Sequence, residues 1–210
     1  MKLVIFGASG QTGSLLVQQA LDSGHLVTAY VRRKDALSIN HPNLELVIGQ
    51  LDDTVKLQKA ITGSDVCFST LGGGSLTKRS PELTRGIDRI VTVMERKGVS
   101  RFVYLSSVGA GESRFFMGPV LRFIITRLML RVPLADHTAN EERLFKSKLQ
   151  WTIVRPGSLT NGPKAGKSKH GSDFIKLRGN PKISRADVAA FMLDQAAGKT
   201  YIKKGVWLFD

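Results

Sequence analysis

Three glycines, in the run Gly7-Ala8-Ser9-Gly10-Gln11-Thr12-Gly13, follow directly on the apolar stretch Leu3-Val4-Ile5-Phe6 and precede a helical pattern from Leu15 to Ser23. At such a junction the chain must turn tightly, approach a ligand with its backbone and seat a helix against a strand, and any side chain larger than hydrogen obstructs all three. The start of the helix offers N–H groups without intrahelical partners and the positive end of a dipole, which suits a pyrophosphate. The spacing therefore predicts a dinucleotide site in which Gly7, Ser9, Gly10, Gln11, Thr12 and Gly13 cradle the phosphates.

The next informative position is the end of the second apolar run, Leu26 to Val31, where NAD-binding folds place an acid on the ribose 2′-hydroxyl. This chain instead reads Tyr30-Val31-Arg32-Arg33-Lys34. An acid repels a 2′-phosphate, whereas guanidinium groups bind it through charge-assisted, bidentate hydrogen bonds, so Arg32 and Arg33 point to NADP(H). Three basic residues ending a strand are also compatible with an ordinary solvated charge run.

These residues need a scaffold, and the rest of the chain supplies its pattern. Strand-like runs at Leu3 to Phe6, Leu26 to Val31, Leu44 to Ile48, Val66 to Thr70, Phe102 to Ser106, Thr152 to Arg155 and Val206 to Phe209 are nearly continuously apolar and β-branched, as in strands buried on both faces. Helical patterns at Thr54 to Ala60, Leu83 to Lys97, Asn140 to Lys146 and Arg185 to Ala196 alternate with them. The expected fold is α/β: a doubly wound parallel sheet of Rossmann type, one domain over residues 1–210 with a small C-terminal substrate-covering region. Irregular segments at 109–136 and 160–182 follow late strands, where open α/β sheets bind ligands, and are the expected walls of a substrate site.

Composition narrows the class. With 42% hydrophobic and 23% charged residues the chain has the make-up of a folded globular protein. Met1 to Phe6 runs straight into the glycine loop without room for a signal peptide, and the lone Cys67 sits between Val66 and Phe68 as a buried strand thiol, so a reducing cytoplasm is expected. The stretch Phe115 to Leu134 is apolar, yet Arg122, Arg127, Arg131, Pro119 and Pro133 interrupt it, so no membrane span is expected. His25, His41, His137 and His170 are too scattered for a metal site. A net charge of +14 attracts anions, but the basic residues Lys164, Lys167 and Lys169 lack interleaved aromatics, so no specific nucleic acid is expected.

Taken with Ser69-Thr70-Leu71-Gly72, Val103-Tyr104-Leu105-Ser106-Ser107, Ala135-Asp136-His137 and Thr152-Ile153-Val154-Arg155-Pro156-Gly157, the glycine loop makes the chain similar to the atypical short-chain dehydrogenases/reductases, in the group holding the NmrA-like proteins and the biliverdin reductase B/flavin reductases. The resemblance implies that Gln50 and Leu51 lie near the adenine, although the group usually has Asp at the position of Gln50. It implies that Leu71, Gly72 and Gly73, with Leu105 and Ser106, line the path to the nicotinamide, and that Pro156 and Gly157 border its amide. Asp52 and Asp53 read instead as caps of the following helix.

A typical member of the wider family uses Tyr-x-x-x-Lys as proton donor. Tyr104 and Tyr201 are followed at that spacing by Val108 and Gly205, and Tyr30 with Lys34 lies at the adenosine end. The catalytic candidates are then Ser107, whose hydroxyl could orient an acceptor, and His137, which could carry a proton near neutral pH. The expected activity is NADPH-dependent hydride transfer to a flat conjugated acceptor such as a flavin, quinone or tetrapyrrole. The alternatives are a non-catalytic NADP(H) sensor of the NmrA type and a nucleic-acid-associated protein.

Overall fold

The computed structural model describes residues 1–72, 77–116, 118, 130–177 and 179–210. Of the expected site, Gly73 lies outside the described residues, as does most of the apolar segment from Phe115 to Leu134.

The core follows from strands that are apolar on both faces. β1 (Lys2–Phe6) turns Leu3 and Ile5 to one side of the sheet and Val4 and Phe6 to the other, and all four are buried. Parallel to it run β2 (Leu26–Val31), β3 (Leu44–Ile48), β4 (Val66–Ser69), β5 (Arg101–Leu105), β6 (Gln150–Pro156) and β10 (Lys204–Phe209). The sheet order is β3-β2-β1-β4-β5-β6-β10-β8, with β8 (Lys169–Gly171) added antiparallel at the edge. A separate parallel pair joins β7 (Ser158–Thr160) to β9 (Lys182–Ser184).

On one face pack α1 (Gln11–Asp22) and α5 (Arg185–Asp194); Leu16, Val17 and Ala20 meet Val188, Ala189 and Met192 over Leu3 and Ile5. The other face is covered by α2 (Thr54–Ile61), α3 (Pro81–Lys97) and α4 (Arg131–Phe145), through Leu57, Ile61, Ile87, Ile90, Met94 and Leu144. Chain ends obey local rules: Asp53 caps α2 by accepting from the Lys56 N–H at 3.0 Å, Pro81 opens α3, and Ser184 caps α5 from its side chain. The doubly wound sheet is thus present, with an antiparallel edge that the pattern did not predict. Among the described residues no helix is long and apolar enough to cross a membrane.

The described parts of the segments 109–136 and 160–182 are more regular than expected. A 3-10 turn occupies Gly111–Phe116, α4 starts at Arg131 rather than at Asn140, and β8 lies inside the second segment. Asp187 of α5 accepts from the backbone N–H groups of Ala165 and Gly166, tying the loop after β7 to the body. Cys67 is fully buried on β4, and burial pushes its thiol up to about 12, so it is neutral and unreactive.

Candidate functional site

The chain leaves β1 for α1 on one face and leaves β4 for α3 on the other, so a crevice opens between the two strand ends. Thr70, just past β4, ties the two lips together: its Oγ1 donates to the Phe6 and Gly7 carbonyls, at 3.1 and 3.0 Å. Gly7 adopts φ +78°, and a Cβ there would lie 2.8 Å from the Thr70 backbone. A Cβ on Gly13 would lie 2.7 Å from Thr70 Oγ1 and would strike the Gly7 carbonyl. Gly10 is different, because a Cβ there would meet only the Gly7 carbonyl, at 3.2 Å, and would otherwise face the crevice. As N-cap of α1, with no side chain to satisfy the first-turn N–H groups, Gly10 leaves those donors to a ligand. The cradle fits a dinucleotide pyrophosphate.

Two cavities meet at this loop, sharing Gly10, Thr70, Leu71 and Gly72. The first, about 730 Å³, is lined by Gly7, Ser9, Arg32, Gln50 and Leu51, all expected at the site. Arg33 is not brought to it; its side chain is 79% exposed and sits 3.9 Å from Asp35. Asp52, expected to cap α2 alongside Asp53, instead lines this cavity. Two residues that the sequence reading missed join Arg32 here, Arg85 and Arg89 of α3, together with the acid Glu82. None of the three arginines is in an ion pair among the described residues. Four-residue spacing puts Arg85 and Arg89 on one helix face, and that was the available signal.

Gln50 is held from behind, its carbonyl accepting from Tyr30 Oη at 2.8 Å. Burial, then the charges of Asp53 and Asp52, pushes the Tyr30 phenol up to about 12. This tyrosine is a fixed structural donor, away from Lys34 chemistry.

The second cavity, about 800 Å³, is lined by Gln11, Thr12, Leu105, Ser106, Ser107, His137, Pro156 and Gly157, together with apolar Leu130, Pro133, Leu134 and Leu177. Ser107 is half-buried, and its hydroxyl donates to the Val108 carbonyl at 3.1 Å. Ser106 is committed elsewhere: its Oγ donates to Glu141 at 2.6 Å. Glu141 also takes Arg155 in a two-point pair, at 3.0 and 2.8 Å, with both side chains at 1% exposure or less. Burial alone would lower the Arg155 pKa, but the hydrogen bonds and charges of Glu141 and then Glu112 hold it above its ordinary value. Asp136, beside His137, accepts from the Ser80 N–H and Arg79 Nε, both at 3.0 Å, and so pins the entry to α3.

His137 does not fit the expectation of a proton carrier at neutral pH. Burial draws its pKa down to about 4, against the opposing charge of Asp136, so the ring is neutral over the physiological range. Tyr104 is fully buried beneath it, and burial pushes its phenol well above the usual range, with the Asn140 hydrogen bond opposing. Neither group is poised to give up a proton.

A family model described as NAD(P)H-binding matches residues 7–199. Among curated proteins, the "uncharacterized sugar epimerase YhfK" of Bacillus subtilis is 29% identical over 195 residues, spanning 90% of this chain and 85% of its own. Among solved structures, a short-chain dehydrogenase/reductase from Veillonella parvula in complex with NADP superposes with TM-score 0.84 at 21% identity, covering 100% of this chain and 94% of its own. ChuY, an anaerobillin reductase from Escherichia coli O157:H7, gives 0.82 at 23% identity, covering 100% and 97%. With the cradle and the match in agreement, the chain belongs to the NAD(P)H-binding family and has a Rossmann fold.

Proposed function

We propose that the protein is an NADPH-dependent reductase that delivers hydride to a flat conjugated acceptor of the flavin, quinone or tetrapyrrole class. The observation that carries this reading is the junction of two cavities at one glycine loop, a basic one on the adenosine side and a largely apolar one at the ends of β5 and β6. When bound, the reduced nicotinamide supplies the hydride. The residues of the chain do the rest: the first turn of α1 holds the pyrophosphate, Arg32 with Arg85 and Arg89 holds the 2′-phosphate, and Leu105, Pro156 and Gly157 border the nicotinamide. Ser107 orients the acceptor, and the apolar wall keeps water from it. With no side chain placed as an acid among the described residues, reduced flavins and quinones suit the site because solvent can protonate them.

Arg32→Ala is expected to weaken NADPH by about 1.5–3 kcal/mol, the worth of a hydrogen bond to a charged group, and to leave NADH unchanged. Arg33→Ala should do much less, since Arg33 stands outside the cavity. Calorimetry with both cofactors checks this, and equal affinities in the unaltered protein would remove NADP(H) from the proposal. Ser107→Ala should lower kcat by roughly tenfold, the scale of about 1.4 kcal/mol, without changing NADPH affinity. The activity itself is tested by following NADPH absorbance with flavin mononucleotide, a quinone and a tetrapyrrole. Tight binding with no oxidation on any of them would make the protein a sensor of NADP(H).

A further inference from the structure

A chain of three hydrogen-bonded side chains, buried Asn140 and Tyr104 and half-buried His137, runs from the core of the sheet to the second cavity. Asn140 Nδ2 donates to Tyr104 Oη at 2.9 Å, and the same oxygen lies 2.8 Å from His137 Nδ1. Tyr104 has no exposed surface, so its one hydroxyl hydrogen must find a partner within the protein. An amide nitrogen can only donate, which leaves the lone pair of His137 Nδ1 as the acceptor. In a neutral imidazole the proton then sits on Nε2, and Nε2 has no partner among the described residues. His137 lines the cavity with Ser107, Leu105 and Pro156.

We propose that Tyr104 and Asn140 are positioning residues that hold His137 as a neutral hydrogen-bond donor, presenting Nε2–H to acceptors that carry a carbonyl oxygen or an unprotonated ring nitrogen. The ring arrangement follows from the orientation of the Asn140 amide, and its use on an acceptor rests on the reductase reading. Burial, which lowers the His137 pKa, keeps the ring neutral, as a single proton on Nε2 requires. The orphaned Asn140 Oδ1 is the cost of this orientation. Turning the amide over would reverse every donor in the chain and put the imidazole proton on Nδ1.

The experiment has two arms that fail separately. In the first, imidazole nitrogens of the full-length protein without cofactor are observed by ¹⁵N NMR at pH 7, with His137 assigned by its loss in His137→Gln. The expected result is a protonated Nε2 and a bare Nδ1, giving way to mixed tautomers in Tyr104→Phe. A protonated Nδ1, or a tautomer indifferent to Tyr104→Phe, overturns the positioning role whatever the protein catalyses. In the second, oxidised flavin mononucleotide is titrated into the protein saturated with NADP⁺. Loss of one neutral hydrogen bond predicts roughly tenfold weaker binding in His137→Ala, with most of the affinity restored in His137→Gln, whose amide also donates. Equal affinity in the unaltered protein and His137→Ala, or glutamine no better than alanine, overturns the donor role. Absence of flavin binding overturns the assignment of the cavity, while leaving the first arm standing.

Discussion

Gly10→Val is expected to yield a folded protein that binds NADPH at least ~100-fold more weakly, an effect of about 2.7 kcal/mol. The backbone at Gly10, φ −76° and ψ 165°, is one that a β-branched residue adopts without strain. A Cβ there meets the Gly7 carbonyl at 3.2 Å, which must give by a few tenths of an ångström, far less than the shift that a Cβ on Gly13 would demand. The two methyl groups of valine would instead extend over the first turn of α1, where a pyrophosphate must come within hydrogen-bond distance of the backbone. Gly13→Val should behave differently, because its side chain would drive into the Gly7 carbonyl and Thr70 Oγ1 and disturb the loop itself. Thermal melts and calorimetry on the pair separate the two effects. A folded Gly10→Val that binds NADPH normally would remove this loop from the site.

The contrast between Gly10 and Gly13 marks how far the sequence can be read. Glycine spacing after an apolar strand announces a cradle, but which glycine faces the ligand and which faces the protein depends on Thr70, 60 residues away by number and adjacent in space. The inner strands were legible because helices cover both of their faces, which forces apolar residues at consecutive positions; the edge strand β3 buries only Val47, yet its bounds, like those of β2, match the pattern. The start of α4 was not legible, because Pro133 reads as a breaker. It sits in the first turn, where a missing N–H is not needed, so the helix begins at Arg131 and carries Pro133, Leu134 and His137 to the second cavity. β8 escaped because its Lys169 and His170 resemble loop, although lysine is a common guard of an exposed edge strand. Arg155 and Glu141 could not be paired from sequence at all: nothing in the types says that an arginine on an apolar strand points inward to a helix carboxylate.

Glu141→Ala is accordingly expected to destabilise the fold by about 3–5 kcal/mol, the cost of leaving one member of a buried ion pair alone. Arg155 would retain only Glu112, whose side chain is 69% exposed and 3.2 Å away, so the guanidinium would stay buried with most of its donors unanswered. The surrounding backbone is shaped to the pair. A Cβ on Gly205 would lie 2.6 Å from Arg155 Nη1, and one on Gly111 would lie 2.5 Å from Glu141 Oε2, so these glycines clear the space that the two side chains fill. Glu141 also receives the Ser106 hydroxyl at the cavity wall, so its loss should loosen the end of β5 as well. Removing both charges at once, with Arg155→Met in a Glu141→Leu background, should recover most of the stability, because well-packed apolar side chains avoid the desolvation that the pair must offset. Urea denaturation of the three proteins measures this. A double variant no more stable than Glu141→Ala would mean that the volume and hydrogen bonds of the pair, rather than its balanced charge, support this part of the core, and an undiminished Glu141→Ala would show that water reaches Arg155 when its partner is gone.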